Sequence, residues 1–169
     1  MTKLLIISSL IIILLVVLAW TGHKSVHHEI EIEAPPEVVW SVLMDADRYD
    51  EWNPVMKLLE GDLKEGNQVK YQFTQDENTI SEISSTVKQI VSYQLLNQQG
   101  GVPLIITFDH QYILTSSGEG TLLTIHEEYR GIYVNFWNPD PVQAAYQRLN
   151  QAIKTRTESL YMQEDESNY

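Results

Sequence analysis

The spacing of apolar residues changes several times along this chain, and each change marks an element. From Leu4 to Trp20 every residue is apolar except Ser8 and Ser9, so the segment has no polar helical face. From Val26 the pattern alternates: His28, Ile30, Ile32 and Ala34 fall on one face and Glu29, Glu31 and Glu33 on the other, which predicts a strand. Pro35-Pro36 cannot continue a ladder but suits the first turn of a helix. The stripe Val38, Val39, Val42, Leu43 predicts that helix, and a second short one follows over 46–51. Beyond Pro54 the period becomes two, predicting strands near 55–62, 68–75, 79–90, 91–99, 104–116 and 121–132. Turn signals separate them at Glu65-Gly66-Asn67, Gly100-Gly101 and Ser117-Gly118-Glu119-Gly120. Finally Val142, Ala145, Tyr146, Leu149, Ile153 and Leu160 recur at helical spacing, and Asp140, Pro141 and Gln143 fit a capping box with proline at the first helical position.

Long strands joined by tight loops form an antiparallel meander with one face to be covered. The last helix supplies the cover, because an isolated helix of its length is marginal in water. The predicted class is α+β: a curved antiparallel sheet of about seven strands around a long C-terminal helix, preceded by a transmembrane helix. The predicted division is an anchor or signal segment over 1–22, a linker over 23–27, the domain over 28–162 and an acidic tail over 163–169, frayed around Glu164-Asp165-Glu166.

Residues 31–54, EIEAPPEVVWSVLMDADRYDEWNP, pack a strand, a Pro-Pro break, two short helices and a closing Trp52-Asn53-Pro54 into two dozen positions. This unit resembles the opening of the START-like or SRPBCC superfamily, whose helix-grip fold wraps a curved sheet around a long C-terminal helix. Gly101-Val102-Pro103, His110-Gln111-Tyr112, Gly120-Thr121, Glu127-Glu128-Tyr129-Arg130-Gly131 and NQAIKTRTE over 150–158 look like a bacterial branch of it. That branch is known as polyketide cyclase/dehydrase and lipid transport, and it includes proteins linked to carbon monoxide dehydrogenase. The resemblance spans roughly residues 28–160 and implies an internal pocket. It speaks to fold far more than to a reaction, since the superfamily holds carriers, cyclases and proteins of no assigned role.

Charge narrows the partners. Eleven Lys and Arg face 23 Asp and Glu, and Lys3 is the single charged residue of the first 22 positions, so the rest of the chain carries about −13. Such a field repels nucleic acid and anionic headgroups. Cysteine is absent, which removes disulfides, thiolate nucleophiles and thiolate metal sites. The apolar run at the N-terminus has two readings. Val17-Leu18-Ala19 is a tolerable cleavage site for a signal peptide, which would leave a secreted domain. The run exceeds the usual signal core of roughly 7–15 residues and ends in Trp20, an interface-type residue, which favours an uncleaved single-pass anchor. Lys3 before the span and Glu29, Glu31 and Glu33 after it predict a cytoplasmic N-terminus and an extracytoplasmic domain.

Candidate chemistry comes from strand parity. On 104–116, Ile106, Phe108, His110, Tyr112 and Leu114 share the more apolar face; on 121–132, Leu123, Ile125, Glu127, Tyr129 and Gly131 do. Closing the hairpin with Ser116 opposite Thr121 sets Leu114 against Leu123, Tyr112 against Ile125 and His110 against Glu127. An inward His-Glu pair reads as a register-fixing ion pair, as a polar anchor for an apolar ligand, or as acid–base machinery. No nucleophile or oxyanion hole accompanies it, so catalysis ranks last and the catalytic candidates are His110 and Glu127 alone. The predicted ligand wall is Phe108, His110, Tyr112, Glu127, Tyr129, Tyr146 and Leu149.

Other residues read as structure. His23, His27 and His28 belong to a solvated juxtamembrane connection, without further ligands at metal spacing. His126 falls on the outward face. Trp40, Trp52 and Trp137 sit at element ends where packing explains a large ring, with Trp52 as the plug under the short helices. Gly100-Gly101-Val102-Pro103 is either a plain connection or a lip at the pocket mouth. Arg156 lies at the edge of the helical stripe, either reaching to water or paired with an acid. No metal or cofactor is expected. The expected function is membrane-anchored binding of a small hydrophobic or amphipathic, lipid-like molecule. The alternatives are a cyclase/dehydrase-like enzyme using His110 and Glu127, or an assembly or maturation factor that takes a protein partner instead of a ligand.

Overall fold

A computed structural model describes residues 2–167. Helix α1 (Thr2–Thr21) passes directly into strand β1 (His23–Ile32), and α2 (Pro36–Met44), a 3-10 turn (Ala46–Arg48) and α3 (Tyr49–Trp52) follow. Six more strands come next: β2 (Met56–Glu60), β3 (Gln68–Asp76), β4 (Thr79–Val91), β5 (Leu95–Val102), β6 (Ile106–Ser117) and β7 (Gly120–Arg130). A second 3-10 turn (Ile132–Asn135) leads to α4 (Asp140–Ser167). The seven strands form one antiparallel sheet in the order β1-β7-β6-β5-β4-β3-β2. Register shifts within the β2–β3, β3–β4 and β4–β5 pairs help the sheet curl, because a bulge bends a strand and sharpens its twist. This is the predicted α+β helix-grip architecture.

Helix α4 closes the curl from both sides. Its apolar stripe of Val142, Ala145, Tyr146, Leu149 and Ile153 is buried against the concave face. Along the open edge of β1, Gln143 bonds both the N–H (3.2 Å) and the C=O (2.6 Å) of His27. Lys154 donates to the Glu31 carbonyl (2.7 Å), and Glu158 accepts from the Glu33 N–H (2.9 Å). From His27 to Glu33 a strand advances about 20 Å, and from Gln143 to Glu158 a helix advances about 22 Å, so the two ladders stay in step. On the opposite side Arg148 donates to the Gln75 carbonyl (2.6 Å), tying the same helix to the end of β3.

Several expectations are corrected here. Residues 23–27, expected as a linker, are the first half of β1, with His23 opposite Arg130 and Val26 opposite Glu127. Their side chains carry too little apolar alternation to show it; the pairing is made by backbone. Gln143 does not complete a capping box, since its amide is spent on β1; the Asn138 side chain instead accepts from the Asp140 N–H (3.1 Å). His28 is only partly exposed: Asn150 donates to its carbonyl (3.1 Å) and meets its Nδ1 (2.8 Å), and burial lowers the imidazole pKa. The buried ring under the short helices is Tyr49, whose hydroxyl donates to the Leu43 carbonyl (2.6 Å); Trp52 lies half-buried, edge-on to it at 5.3 Å. The backbone of α4 runs through the acidic stretch 164–166 to Ser167, and residues 168–169 of the expected tail lie outside the described residues. Tyr49→Ala is expected to cost about 3–5 kcal/mol of stability and Trp52→Ala less, as urea unfolding would measure. A larger loss at Trp52 would return the plug to that residue.

Candidate functional site

The β6–β7 hairpin carries the site. Gly118, with φ of 61°, turns the chain so that Ser117 pairs with Gly120. From there the register brings Leu114 opposite Leu123, Tyr112 opposite Ile125, His110 opposite Glu127 and Phe108 opposite Tyr129. On the other flank β5 sets Gln98 against His110 and Gly100 against Phe108. A Cβ at Gly100 would lie 2.5 Å from the Phe108 ring, so only glycine lets that ring lie flat across β5.

His110 and Glu127 meet, but not as a hydrogen-bonded pair. His110 Nδ1 stands 3.6 Å from Glu127 Oε2, beyond hydrogen-bond reach. The same oxygen instead accepts from two phenols, the hydroxyls of Tyr129 and Tyr146. His110 lies edge-on between Tyr112 (4.6 Å between centroids) and Tyr146 (5.2 Å), and its buried Nε2 has no hydrogen-bond partner. The polar centre is therefore a Tyr-Glu-Tyr cluster with an imidazole beside it. Burial and then the negative charge of Glu127 push both phenol pKa values well up, which keeps Tyr129 and Tyr146 neutral donors. A second buried group lies further along the sheet: Gln98 donates to the Tyr71 hydroxyl (3.1 Å) and accepts from Ser85 (3.3 Å). Burial pushes the Tyr71 phenol up to about 12.

A cavity of about 460 Å³ opens next to the first cluster. Phe73, Ile83, Ile106, Phe108, Val142 and Trp137 form its apolar walls, Gly101 and Val102 edge it, Glu127, Tyr129 and Tyr146 supply a buried polar patch, and Gln75, Ser81, Glu82 and Ser84 add polar lining from β3 and β4. Four of the seven expected wall residues thus border it: Phe108, Glu127, Tyr129 and Tyr146. His110, Tyr112 and Leu149 do not; they belong to the packed interior with Leu96, Leu123, Ile125 and Ile153. The hollow occupies one end of the space between sheet and helix, because large side chains fill the middle. Trp137, read from sequence as packing alone, packs at a tilt against Tyr129 (4.6 Å between centroids, 57° between ring planes) and lines the cavity. Gly101-Val102 does border the mouth. His126 is half-buried, 5.7 Å from the His27 ring and 3.0 Å from Glu128, and Arg156 pairs outside the cavity with Glu51 (3.6 Å). Among the described residues no group of three or more His, Asp or Glu could hold a metal ion.

Sequence reasoning missed Tyr71, Ser85 and Gln98, as well as the bond from Tyr146 to Glu127. Parity already put Tyr129 beside Glu127 on one face, two residues apart. No local pattern ties Tyr146 of α4 to a strand residue, so that contact had no signal.

A profile described as polyketide cyclase/dehydrase and lipid transport matches residues 23–158. Comparison with curated proteins finds no match. Among solved structures, ginseng major latex-like protein 151 from Panax ginseng has a TM-score of 0.68 at 11% identity, over 80% of this chain and 98% of its own. Protein CV1439 from Chromobacterium violaceum has 0.66 at 18%, over 79% and 96%. A norcoclaurine synthase point mutant from Thalictrum, in complex with a transition state analogue, has 0.61 at 18%, over 82% and 96%. At these identities the likeness is one of fold.

Stability should fall at alkaline pH. Free phenols ionise near pH ~10, whereas Tyr129 and Tyr146 stay protonated in the folded chain to higher pH. Above that point the unfolded state holds fewer protons, so the stability present at lower pH is lost as pH rises. Tyr146→Phe should flatten the decline in urea midpoint between about pH 9 and 11. An unchanged slope would mean that the Tyr146 phenol ionises freely in the folded protein.

Proposed function

The chain belongs to the polyketide cyclase/dehydrase and lipid transport family, within the SRPBCC superfamily, and from that premise we propose that it is a membrane-anchored binding protein for a small apolar or amphipathic molecule. One observation carries the reading: a 460 Å³ cavity with largely apolar walls and a buried Glu127-phenol cluster against it, the usual form of a small-molecule site. The apolar walls take the body of the ligand, and Glu127 with its two phenols takes one polar group.

The chemistry of that patch narrows the ligand class. Tyr129 and Tyr146 already spend their protons on the Glu127 carboxylate, so the site offers acceptors and negative charge. A ligand headgroup that donates, such as a hydroxyl or an amine, complements it; a carboxylate headgroup is repelled. Helix α1 supports the anchoring half of the reading, since 19 of its residues, Lys3–Thr21, are apolar enough to cross a membrane and none of that span is buried in the domain. The charge bias around it favours a cytoplasmic N-terminus and an extracytoplasmic pocket.

Catalysis is the second reading, favoured by the position of Glu127 as a buried carboxyl bordering the cavity. It predicts turnover of a bound carbonyl compound that Glu127→Gln abolishes and His110→Ala weakens, with the fold intact by circular dichroism.

Two fluorescent probes of similar shape test the binding reading. 1-Pyrenebutanol should bind detergent-solubilised protein at least about tenfold more tightly than 1-pyrenebutyric acid, a gap of about 1.4 kcal/mol. Glu127→Gln should shrink that gap, and Ile106→Trp, which fills the cavity, should abolish binding of both. Equal affinity for the two probes, indifferent to Glu127→Gln, would remove the polar-patch assignment. Absence of binding, together with no co-purifying lipid by mass spectrometry, would remove the ligand.

A further inference from the structure

The strongest unused feature is an apolar surface at the α1 end of the domain. Val102, Leu104, Ile105, Tyr133 and Phe136 are all at least half exposed, with Leu104 at 72% and Phe136 at 73%. Scattered exposed apolar residues need no explanation, but a contiguous group marks a contact surface. These are contiguous. Val102 to Ile105 forms the β5–β6 turn, closed by the Ile105 N–H on the Val102 carbonyl (3.1 Å). The segment after β7 is bonded to that turn, with the Ile132 N–H on the Leu104 carbonyl (2.9 Å) and the Tyr133 N–H on the Ile105 carbonyl (3.0 Å). Gly131 permits the approach, since at its φ of 136° a side chain is strained, and a Cβ there would collide with the Ile105 carbonyl oxygen.

The same segment is fastened to the end of α1. Asn135 Nδ2 donates to the Leu18 carbonyl (2.7 Å), Thr21 Oγ1 donates to Asn135 Oδ1 (2.9 Å), and the Gly131 N–H donates to the Gly22 carbonyl (2.9 Å). The apolar surface is therefore held level with the last turn of α1. That helix is about 30 Å long at 1.5 Å per residue, matching a hydrocarbon core of ~30 Å. Its last turn carries Trp20, 88% exposed, at the depth where aromatic side chains settle between acyl chains and water. Val102 belongs both to this surface and to the cavity lining.

We propose that this surface rests in the interfacial layer of the bilayer that α1 crosses, turning the cavity mouth toward the lipid so that the ligand enters from the leaflet and not from water. The inference rests on the anchored, ligand-binding reading above and adds its geometry. The occupant is a bilayer, because the surface continues an exposed membrane-length helix and because a domain of net charge about −13 is not drawn to anionic headgroups from a distance, which leaves apolar contact to hold it there.

The absence of cysteine makes the test direct. Leu104→Cys, Phe136→Cys and, at the far hairpin, Glu119→Cys each place one thiol for a nitrobenzoxadiazole label on the full chain in phosphatidylcholine vesicles. Labels at 104 and 136 should shift to the blue and be quenched by shallow spin-labelled lipid at least about threefold more than the label at 119. If all three behave as in water while alkaline extraction shows α1 inserted, the proposal falls, whether or not 1-pyrenebutanol binds the solubilised protein. If the two labels are quenched but 1-pyrenebutanol does not bind, the surface stands and the ligand reading falls. Leu104→Asp with Phe136→Ser should slow vesicle-to-protein transfer of the probe about tenfold with unchanged affinity in detergent. An unchanged transfer rate overturns entry from the leaflet.

Discussion

The double fastening of α4 holds the rest in place. A curled sheet with an open edge strand exposes a row of unpaired N–H and C=O groups, which invites pairing with another chain. Here side chains of one helix satisfy part of that row: Gln143, Lys154 and Glu158 reach His27, Glu31 and Glu33. Arg148 holds the far side at the end of β3, next to the edge strand β2. The helix thus bridges the two sides of the curl, and its height above the concave face is set from both. Near the middle large apolar side chains fill the gap. At the end near Trp137 they do not, and the cavity is what remains.

That geometry also explains how a carboxyl survives in the interior. Burying a charge without partners costs several kcal/mol. Among the described residues no Lys or Arg pairs with Glu127, and His110 stands too far off to donate. Two phenols take the role, one from the same strand and one from α4. The cluster is therefore as much a clamp between helix and sheet as a recognition patch. Polar satisfaction is incomplete beside it, since His110 Nε2 is buried and unpartnered.

Helix α1 and the cavity are linked by unexpectedly short paths. α1 runs into β1 through Gly22 alone, and Asn135 ties the last turn of α1 to the segment that precedes Trp137. The cavity mouth and the membrane-length helix therefore sit at one end of the molecule, while the β6–β7 turn and the far end of α4 occupy the other. A domain on a flexible tether would sample all orientations relative to α1; this connection restricts them.

Period and parity made much of this legible. Alternation along 104–116 and 121–132, with a glycine-containing turn between, was enough to set His110 opposite Glu127, because side-chain direction in a strand repeats every two residues and a tight turn leaves one register. The stripe from Val142 to Ile153 likewise declared a docked helix. What the chain could not declare were contacts between elements whose separation depends on packing. Tyr146 reaches Glu127, Gln143 leaves its own helix start for β1, and residues 23–27 join the sheet through backbone alone. Whether the space beneath α4 is filled or hollow turns on the volumes of side chains brought together from β3, β4, β6, β7 and α4. Periodicity is a local property and volume is a collective one, so the first was written in the sequence and the second was decided only by the fold.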